Sequence, residues 1–156
     1  MHLPMAELAN QLRSQCKFDQ AVSLCCEALQ ASRETFGNRH RNTINLISNL
    51  GMLLRTQGDL AGAAPLLHEA LQVSRETLGN RHPDTLISIG NLGMLLRQQG
   101  DLAGAAPLCH ETLQVSRETL GNRHPHTLIS IHNLGALLKK QGNLAVAEPL
   151  LTRRCR

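Results

Sequence analysis

TINLISNLGMLLRTQGDLAGAAPLLHEALQVSRETLGNRHPD, residues 43–84, is followed at once by a second version of itself. Residues 85–126 carry the same amino acid at 34 of the 42 positions. A period of roughly 20–50 residues is typical of proteins built from stacked repeats, in which each unit buries its apolar face against its neighbours. The repeat therefore predicts an array, and such arrays generally serve as extended binding surfaces rather than as catalysts.

Each unit is predicted to contain two α-helices joined by a short turn. Gly58 suits the left-handed position that closes the first helix, and Asp59 suits the N-cap of the second. Gly79 ends the second helix and begins a loop. The apolar and small residues that recur at helical spacing, and that we expect to be buried, are Ile47, Leu50, Gly51 and Leu54 in the first helix and Leu60, Ala63, Ala64, Leu67, Ala70, Leu71 and Leu78 in the second.

Two prolines bear on where these helices begin. Pro65 falls about five residues inside the second helix, where proline removes a hydrogen bond and clashes with the preceding turn. We therefore expect a kink there, or a loose first turn. Pro83 discourages helix at His82, so we expect Asp84 or Thr85 to cap the helix that follows.

Small residues stand where the two helices of a unit should cross. Gly51, Ala63 and Ala70 would let the two backbones approach to about 8–10 Å. Thr112 takes the place of Ala70 in the next unit. We expect a slightly looser crossing there, because threonine is larger than alanine.

The same frame covers the whole chain and predicts one all-α array over residues 1–156. Its units are residues 1–42, 43–84, 85–126 and 127–156, of which the last is shorter than the others. Neither end carries the polar capping helix that the terminal units of an array usually have. We therefore expect a fragment, or one stretch of a longer array.

The composition suits a helical protein without membrane or secretion signals. Phe18 and Phe36 are the only aromatic side chains among Phe, Trp and Tyr, so the core must consist of Leu, Ile, Ala and Met. The five cysteines are odd in number and do not follow the repeat, which favours a reducing compartment. No apolar run approaches the roughly 18 residues of a membrane span, and residues 1–9 do not form a signal peptide. We expect a soluble, cytoplasmic protein.

The pattern Ile-x-x-Leu-Gly-x-x-Leu from Ile47, followed by Ala-x-x-x-Leu-x-x-Ala from Ala63, resembles the tetratricopeptide repeat. The longer unit, with its Asn-Leu-Gly, Ala-x-Pro-Leu and Gly-x-x-His-Pro elements, is similar to the repeats of kinesin light chain and nephrocystin-like proteins. The resemblance implies a right-handed α-solenoid of about four helix-turn-helix repeats. It also implies a concave groove, lined by the first helices, that binds short extended segments of partner proteins.

Three asparagines would form a ladder along this groove. Asn49, Asn91 and Asn133 occupy the same position of successive first helices, on the flank beside the buried stripe. A primary amide both donates and accepts hydrogen bonds, so it can pair with the backbone of an extended peptide of any sequence. The resemblance to kinesin light chain implies this contact. Alternatively, each amide bonds a neighbouring helix and is structural.

Basic residues form a second row on the same flank. Arg13, Arg55, Arg97 and Lys139 would make one wall of the groove positive and favour acidic segments of a partner. Alternatively, the row is solvated and keeps the array soluble. Methionines on this flank would form an adaptable apolar floor unless they fill the core. The remaining members of the predicted peptide-binding set are Met52, Met94, Ser48 and His132.

The recurring histidines do not predict a metal site. His40, His82 and His124 are one unit apart, about 10 Å by helix packing distances, whereas zinc ligands lie about 2 Å from one centre. We expect each to be hydrogen-bonded in its loop. No phosphate loop, nucleophile elbow or convergent carboxylate pair occurs, so we predict no enzyme, no cofactor and no small-molecule substrate. The repeating carboxylates that we expect to be solvated are Glu69, Glu76, Glu111 and Glu118.

Two alternatives to a peptide-binding scaffold stay open. The uncapped ends would suit a structural segment that associates with itself. The net charge of +4 and Arg39, Arg81 and Arg123 in the loops would suit nucleic-acid binding. The near absence of aromatic side chains argues against the second alternative, because proteins that read single strands usually stack bases on rings.

Overall fold

The computed structural model describes residues 7–8 and 17–152, and this part of the chain contains no strand. The contacts group the chain into two compact units, Met1–Gly79 and Asn80–Arg156. Along the described residues the seven helices are α1 (Phe18–Phe36), α2 (Arg41–Gln57), α3 (Leu60–Leu78), α4 (Pro83–Gln98), α5 (Leu102–Leu120), α6 (Pro125–Lys140) and α7 (Leu144–Thr152). The helices α2 with α3, α4 with α5, and α6 with α7 pack as hairpins, which confirms the predicted all-α fold.

The turn between α2 and α3 follows the prediction. Gly58 has a φ of 94°, in the left-handed region where a side chain would be strained. The side chain of Asp59 accepts a hydrogen bond from the Gly62 N–H at 2.9 Å and so caps α3. Both residues act locally, so their roles could be predicted from the sequence.

The first turn of α3 is regular although Pro65 lies inside the helix. The Asp59 carbonyl accepts from the Ala63 N–H at 3.1 Å, and the helix continues unbroken past the proline. Pro65 is exposed, so water can reach the carbonyl that its ring leaves without a partner. The expected loose first turn is therefore wrong. The equivalent prolines inside α5 and α7 are Pro107 and Pro149.

Histidine, rather than Asp84 or Thr85, caps the first helix of a unit. The Nδ1 atom of His82 accepts a hydrogen bond from the Asp84 N–H at 3.1 Å, and Pro83 occupies the first helical position of α4. Proline suits that position because it has no N–H to satisfy and its φ already matches the helix. Thr85 is instead fully buried. The same histidine cap begins α2 at His40 and α6 at His124.

The core of the first unit is shared by three helices, with α2 in the middle. Leu53 is almost fully buried, whereas Leu54, which we expected in the core, is only half-buried. Leu53 is buried because α2 packs against α1 as well as α3, so the buried stripe of α2 is wider than one hairpin requires. The buried residues of this cluster are Ala21, Cys25, Leu29, Ile47, Leu50, Leu53 and Ala70.

The core of the second unit repeats this arrangement around α6, which packs against α5 and α7. Leu137 and its equivalent one repeat earlier, Leu95, are both fully buried. Its cluster of buried residues comprises Ala105, Leu113, Leu134, Leu137, Leu138 and Ala147.

The crossing of α2 with α3 is tighter than that of α4 with α5. A Cβ atom on Gly51 would lie 2.7 Å from Cδ2 of Leu67, whose side chain is fully buried. A Cβ atom on the equivalent Gly93 would lie 3.6 Å from Sγ of Cys109. There is therefore more room beside Gly93 than beside Gly51, because Cys109 stands in place of leucine. This contact does not involve Thr112, so the looser crossing predicted from that residue stays a prediction.

A buried polar contact joins the second helix of one repeat to the first helix of the next. The hydroxyl oxygens of Ser32 and Thr43 lie 2.8 Å apart between α1 and α2. Between α5 and α6, the Thr127 hydroxyl donates to the Ser116 carbonyl at 3.3 Å. Neither contact was predicted. The third serine and threonine with this spacing, both fully buried, are Ser74 and Thr85.

Arginine–glutamate pairs connect successive repeats on the surface. Each joins an arginine in a second helix or its following loop to a glutamate in the second helix of the next repeat. Glu76 and Glu118 are exposed, as expected of solvated carboxylates, although each is also paired, whereas Glu69 is half-buried and the expectation is wrong for that residue. The pairs are Arg33–Glu69, Arg39–Glu76 and Arg81–Glu118, with N–O distances of 2.9, 3.1 and 2.8 Å.

Candidate functional site

A recess in the second unit brings together three of the predicted site residues. Met94 and Arg97 reach it from α4, and Asn133 reaches it from α6. The recess is small and partly open to solvent. Its complete lining is Gly90, Gly93, Met94 and Arg97 from α4, Cys109 and Thr112 from α5, and Ser130 and Asn133 from α6.

The recess coincides with the positions at which neighbouring repeats differ. Residues 43–84 and 85–126 differ at eight positions, and three of these line the recess. Glycine and cysteine there are smaller than the serine and leucine that they replace, so they leave space between the helices. Compared with the preceding repeat, Gly90 stands in place of Ser48, Cys109 in place of Leu67, and Thr112 in place of Ala70.

Sequence reasoning missed five of the eight lining residues. Gly90 is not in the predicted peptide-binding set, and Gly93, Cys109, Thr112 and Ser130 belong to the helix-crossing or buried stripes of their helices. Cys109 is half-buried. Comparison of the repeats contained a signal, since Cys109 and Thr112 stand at two of the eight positions at which residues 85–126 differ from the preceding repeat.

Burial and charge act in opposite directions on Cys109. Burial raises the pKa of its thiol above the ordinary value, because a thiolate is poorly solvated there. The positive charge of Arg97 lowers the same pKa to a smaller extent. The net result is a thiol that stays protonated, and therefore uncharged, at neutral pH.

The polar groups of the recess differ in whether they already have partners. The hydroxyls of Thr112 and Ser130 donate to carbonyls one turn earlier in their own helices, at 2.8 and 2.9 Å. The side chains of Arg97 and Asn133 make no hydrogen bond or ion pair within the described part of the chain. Their N–H groups are therefore available to a ligand.

The other predicted site residues lie on the same flank of the first helices, which we call the first-helix flank. On α2, Arg55 is half-buried and already has an interaction within the protein. Lys139 and His132 on α6 are exposed. Arg13 lies outside the described residues. The half-buried members of the flank are Ser48, Asn49, Met52, Arg55, Asn91, Met94, Arg97 and Asn133.

The loop arginines are less available for nucleic acid than their sequence suggests. Arg39 and Arg81 each form an ion pair, so much of their charge is compensated. Hydrogen bonds from Arg81 and then from Gln114 lower the pKa of Glu118, which therefore stays ionised to lower pH. Among the described residues, Arg123 alone of the three loop arginines lacks such a pair.

The loop histidines do not assemble a metal site. Each of them uses Nδ1 to cap a helix, as the hydrogen-bonding prediction implied. Within residues 7–8 and 17–152, no three or more His, Cys, Asp and Glu side chains converge in a way that could hold a metal ion. In the same residues, no helix combines the length and the apolar character that crossing a membrane requires.

Residues 3–67, 45–108 and 88–156 match the model of the tetratricopeptide repeat family. These matches overlap and extend over nearly the whole chain, so the chain belongs to the tetratricopeptide repeat family. The hairpins described above are its repeats. No curated protein sequence matches the chain.

Solved structures with the same fold include kinesin light chain-like proteins. The match to a kinesin light chain-like protein of Podosopora anserina, with nearly identical TPR-like repeats, covers 98% of this chain and 75% of that protein, with a TM-score of 0.88 and 23% sequence identity. The match to BtubC (BKLC) from P. vanneervenii covers 96% of this chain and 59% of BtubC, with a TM-score of 0.86 and 22% identity. The match to the apo form of RapI covers 96% of this chain and 52% of RapI, with a TM-score of 0.82 and 15% identity. At these identities the likeness shows the fold alone.

Proposed function

We propose that the chain is a non-catalytic scaffold that binds an extended, acidic segment of a partner protein along the first-helix flank. One observation carries the proposal. The amides of Asn49, Asn91 and Asn133 are half-buried at the same position of successive first helices, and none has a hydrogen-bond partner among the described residues. A half-buried amide without an internal partner is suited to bind the backbone of a peptide.

The alternative role for these amides lacks support. A structural asparagine would bond the neighbouring helix, as Ser32 does with Thr43. No such contact involves the three asparagines in the described part of the chain. In the second unit α4 and α6 contact each other, and packed helices lie about 8–10 Å apart, which is close to the length of three extended residues. A strand-like segment could therefore meet Asn91 and Asn133 with residues about three apart.

Charge supports an acidic segment. The side chain of Arg97 on the flank has no carboxylate partner among the described residues, in contrast to Arg81 in the loop that precedes α4. Lys139 extends the positive charge to α6 and is exposed. Acidic residues in the partner segment would accelerate its association, and they would make it bind in preference to neutral segments.

The experiment that tests the proposal is a selection of displayed random peptides of about twelve residues, which span roughly 40 Å when extended. The full chain is the bait, and the affinities of selected peptides are measured by calorimetry. Asn91→Ala and Arg97→Ala are each expected to weaken binding about tenfold or more, because each removes hydrogen bonds to the peptide.

Matched control variants test where the peptide binds. Asn122→Ala and Arg123→Ala remove the same chemical groups from an exposed loop outside the flank. They are expected to leave the affinity within about twofold of the original. Recovery of no peptide at all would contradict the proposal. The proposal would also be contradicted if the loop variants lost binding while the flank variants bound as tightly as the original chain.

A further inference from the structure

The ion pairs between successive repeats share one arrangement of atoms. Glu76 and Glu118 occupy equivalent positions of α3 and α5, and each binds a loop arginine of the preceding repeat, Arg39 or Arg81. In both carboxylates, Oε2 accepts from the arginine and Oε1 accepts from the glutamine four residues earlier. The glutamine therefore orients the carboxylate, and the arginine of the neighbouring repeat completes its hydrogen bonding.

The first repeat carries the acidic half of this arrangement without an arginine. Oε1 of Glu34, the equivalent of Glu76, accepts from Gln30 at 3.1 Å, and no arginine among the described residues pairs with Oε2. Glu27 is exposed and also lacks an arginine partner in that part of the chain, whereas its equivalent Glu69 is half-buried against Arg33. We call Glu27 and Glu34 the acidic surface.

The third repeat carries the basic half without a glutamate. Arg117, in α5, is exposed, whereas its equivalent Arg33 is half-buried against Glu69. The sequence has Arg153, and not a glutamate, at the position that the pattern assigns to the partner of Arg117. Neither Arg117 nor the loop residue Arg123 forms an ion pair within the described residues. We call Arg117 and Arg123 the basic surface.

The two surfaces match in spacing as well as in charge. Arg33 and Arg39 are six residues apart, and the glutamates that they bind, Glu69 and Glu76, are seven apart. The basic surface repeats the spacing of these arginines, and the acidic surface repeats the spacing of these glutamates. One copy of the chain therefore presents the complement of what a second copy presents, in the register already used between repeats.

Exposed apolar side chains follow the basic surface in the chain. Leu128, five residues after Arg123, is 39% exposed, whereas its equivalents Ile44 and Leu86 are buried. The next residue, Ile129, is 55% exposed. A partner on this side would cover apolar area, which matters because exposed ion pairs alone contribute little to binding.

We infer that the basic surface of one copy of this chain binds the acidic surface of a second copy, with Arg123 donating to Oε2 of Glu34 and Arg117 pairing with Glu27. The inference goes beyond the proposed function, because neither surface contains a residue of the first-helix flank. Since the two surfaces differ, a pair of copies still has one of each unused. Association therefore continues past the dimer unless the copies close into a ring.

The experiment is sedimentation of the full chain at concentrations from about 10 μM to about 1 mM. A reducing agent prevents disulfides through the exposed Cys26. At about 50 mM salt the weight-average mass is expected to rise with concentration to at least about twice that of the monomer, and at about 500 mM salt it should fall back, because salt screens exposed charges. A mass independent of concentration at low salt would overturn the inference.

Charge reversal tests which surfaces meet. The double variant Arg117→Glu with Arg123→Glu is expected to stay monomeric, and so is Glu27→Arg with Glu34→Arg, because like charges then face each other. The first double variant lowers the formal net charge from +4 to zero, so general repulsion between molecules would predict stronger association instead. Lys140→Glu, an exposed residue outside both surfaces, is the control and should leave association unchanged.

Mixing the two double variants provides a rescue that unfolded protein would not imitate. Reversed basic surfaces then meet reversed acidic surfaces, so the mixture is expected to regain at least about half of the mass increase of the original chain. A mixture that stays monomeric while the original chain associates would overturn the inference, as would association of either double variant alone. The scaffold proposal is tested separately, because its peptide-binding variants alter only the first-helix flank.

Discussion

The hydroxyl of Ser32 lies 2.8 Å from the hydroxyl of Thr43, and the two side chains are buried between α1 and α2. A hydrogen bond between two buried hydroxyls fixes how the second helix of one repeat meets the first helix of the next. Apolar packing alone would allow these helices to slide, because it has no direction. The polar contact therefore adds geometric specificity to a core of leucine, isoleucine and alanine.

Thr43→Val is expected to destabilise the chain by about 1–3 kcal/mol, because it leaves the buried Ser32 hydroxyl without this partner. Urea unfolding would measure the change. Adding Ser32→Ala should recover part of the loss, with a coupling of about 0.5 kcal/mol or more in a double-mutant cycle. Strictly additive effects would show that the contact has no energetic role.

Gly51→Ala and Gly93→Ala form a matched pair at equivalent positions. The methyl group at residue 51 would press on the buried Leu67, so we expect a loss of about 1–3 kcal/mol. At residue 93 the nearest atom is at an ordinary contact distance, and alanine favours helix by up to about 1 kcal/mol over glycine. Denaturant unfolding of both variants would test this, and equal effects would contradict it.

His82→Ala should remove the cap of α4 and lower stability by about 0.5–2 kcal/mol. His82→Asn is the control, because an asparagine oxygen can accept the hydrogen bond that His82 Nδ1 now accepts from the Asp84 N–H. We expect thermal unfolding midpoints close to the original for the asparagine variant and lower for alanine. If asparagine were no better than alanine, the histidine ring would stabilise the loop by packing and not by capping.

Glu118 should titrate below its ordinary pKa of 4.5, chiefly because Arg81 donates a hydrogen bond to its carboxylate. A lowered pKa in the folded state means that the unfolded chain binds the proton more readily, so stability rises with pH in this window. The contribution is complete above the unfolded pKa and is lost as the pH falls through the folded one. Titration followed by carbon NMR would measure the pKa.

Arg81→Gln tests the cause of that shift. Removing the guanidinium should raise the pKa of Glu118 toward its ordinary value, while the smaller effect of Gln114 remains. Arg123→Gln, a loop arginine without a carboxylate partner in the described part of the chain, is the control and should leave the titration unchanged. An unshifted Glu118 in the original chain would contradict the prediction.

Cys109 should react with iodoacetamide only at pH above the range of an ordinary thiol, because burial raises its pKa. Arg97→Gln should raise that pKa further, since the arginine favours the thiolate. Alkylation rates of Cys109 measured against pH by mass spectrometry would show both effects. A lower pKa in the variant would mean that the arginine does not act on the thiol.

Much of the fold could be predicted because its signals are local. The helical spacing of Ile47 and Leu50, the left-handed Gly58 and the capping Asp59 each act within one or two turns. Two local expectations, a loose first turn before Pro65 and a cap at Asp84 or Thr85, failed for identifiable reasons. Pro65 is exposed, so its missing hydrogen bond is tolerated, and the cap of α4 is His82 because Pro83 is suited to the first helical position.

The candidate site was predictable in part. Helical geometry placed Met94, Arg97 and Asn133 on one flank. Three other residues of the recess could be noticed in the sequence only because they differ from their equivalents in the preceding repeat. Whether Gly90, Cys109 and Thr112 would face the same space depends on how closely three helices approach one another. That distance is set by side-chain volume at the crossings, such as Cys109 in place of leucine.

Residue spacing along the chain thus determines the helices, their ends and their recurrence, because hydrogen bonds and apolar periodicity within a helix involve near neighbours. Pairing among polar groups is decided by tertiary structure. Arg81 meets Glu118 across two repeats, whereas Arg97 meets no carboxylate in the described part of the chain. Arg97 is therefore available to bind a partner, whereas Arg81 is already paired, although the two side chains carry the same charge. The difference arises because electrostatic and hydrogen-bond energies depend on distances between helices. A repeat pattern does not specify those distances.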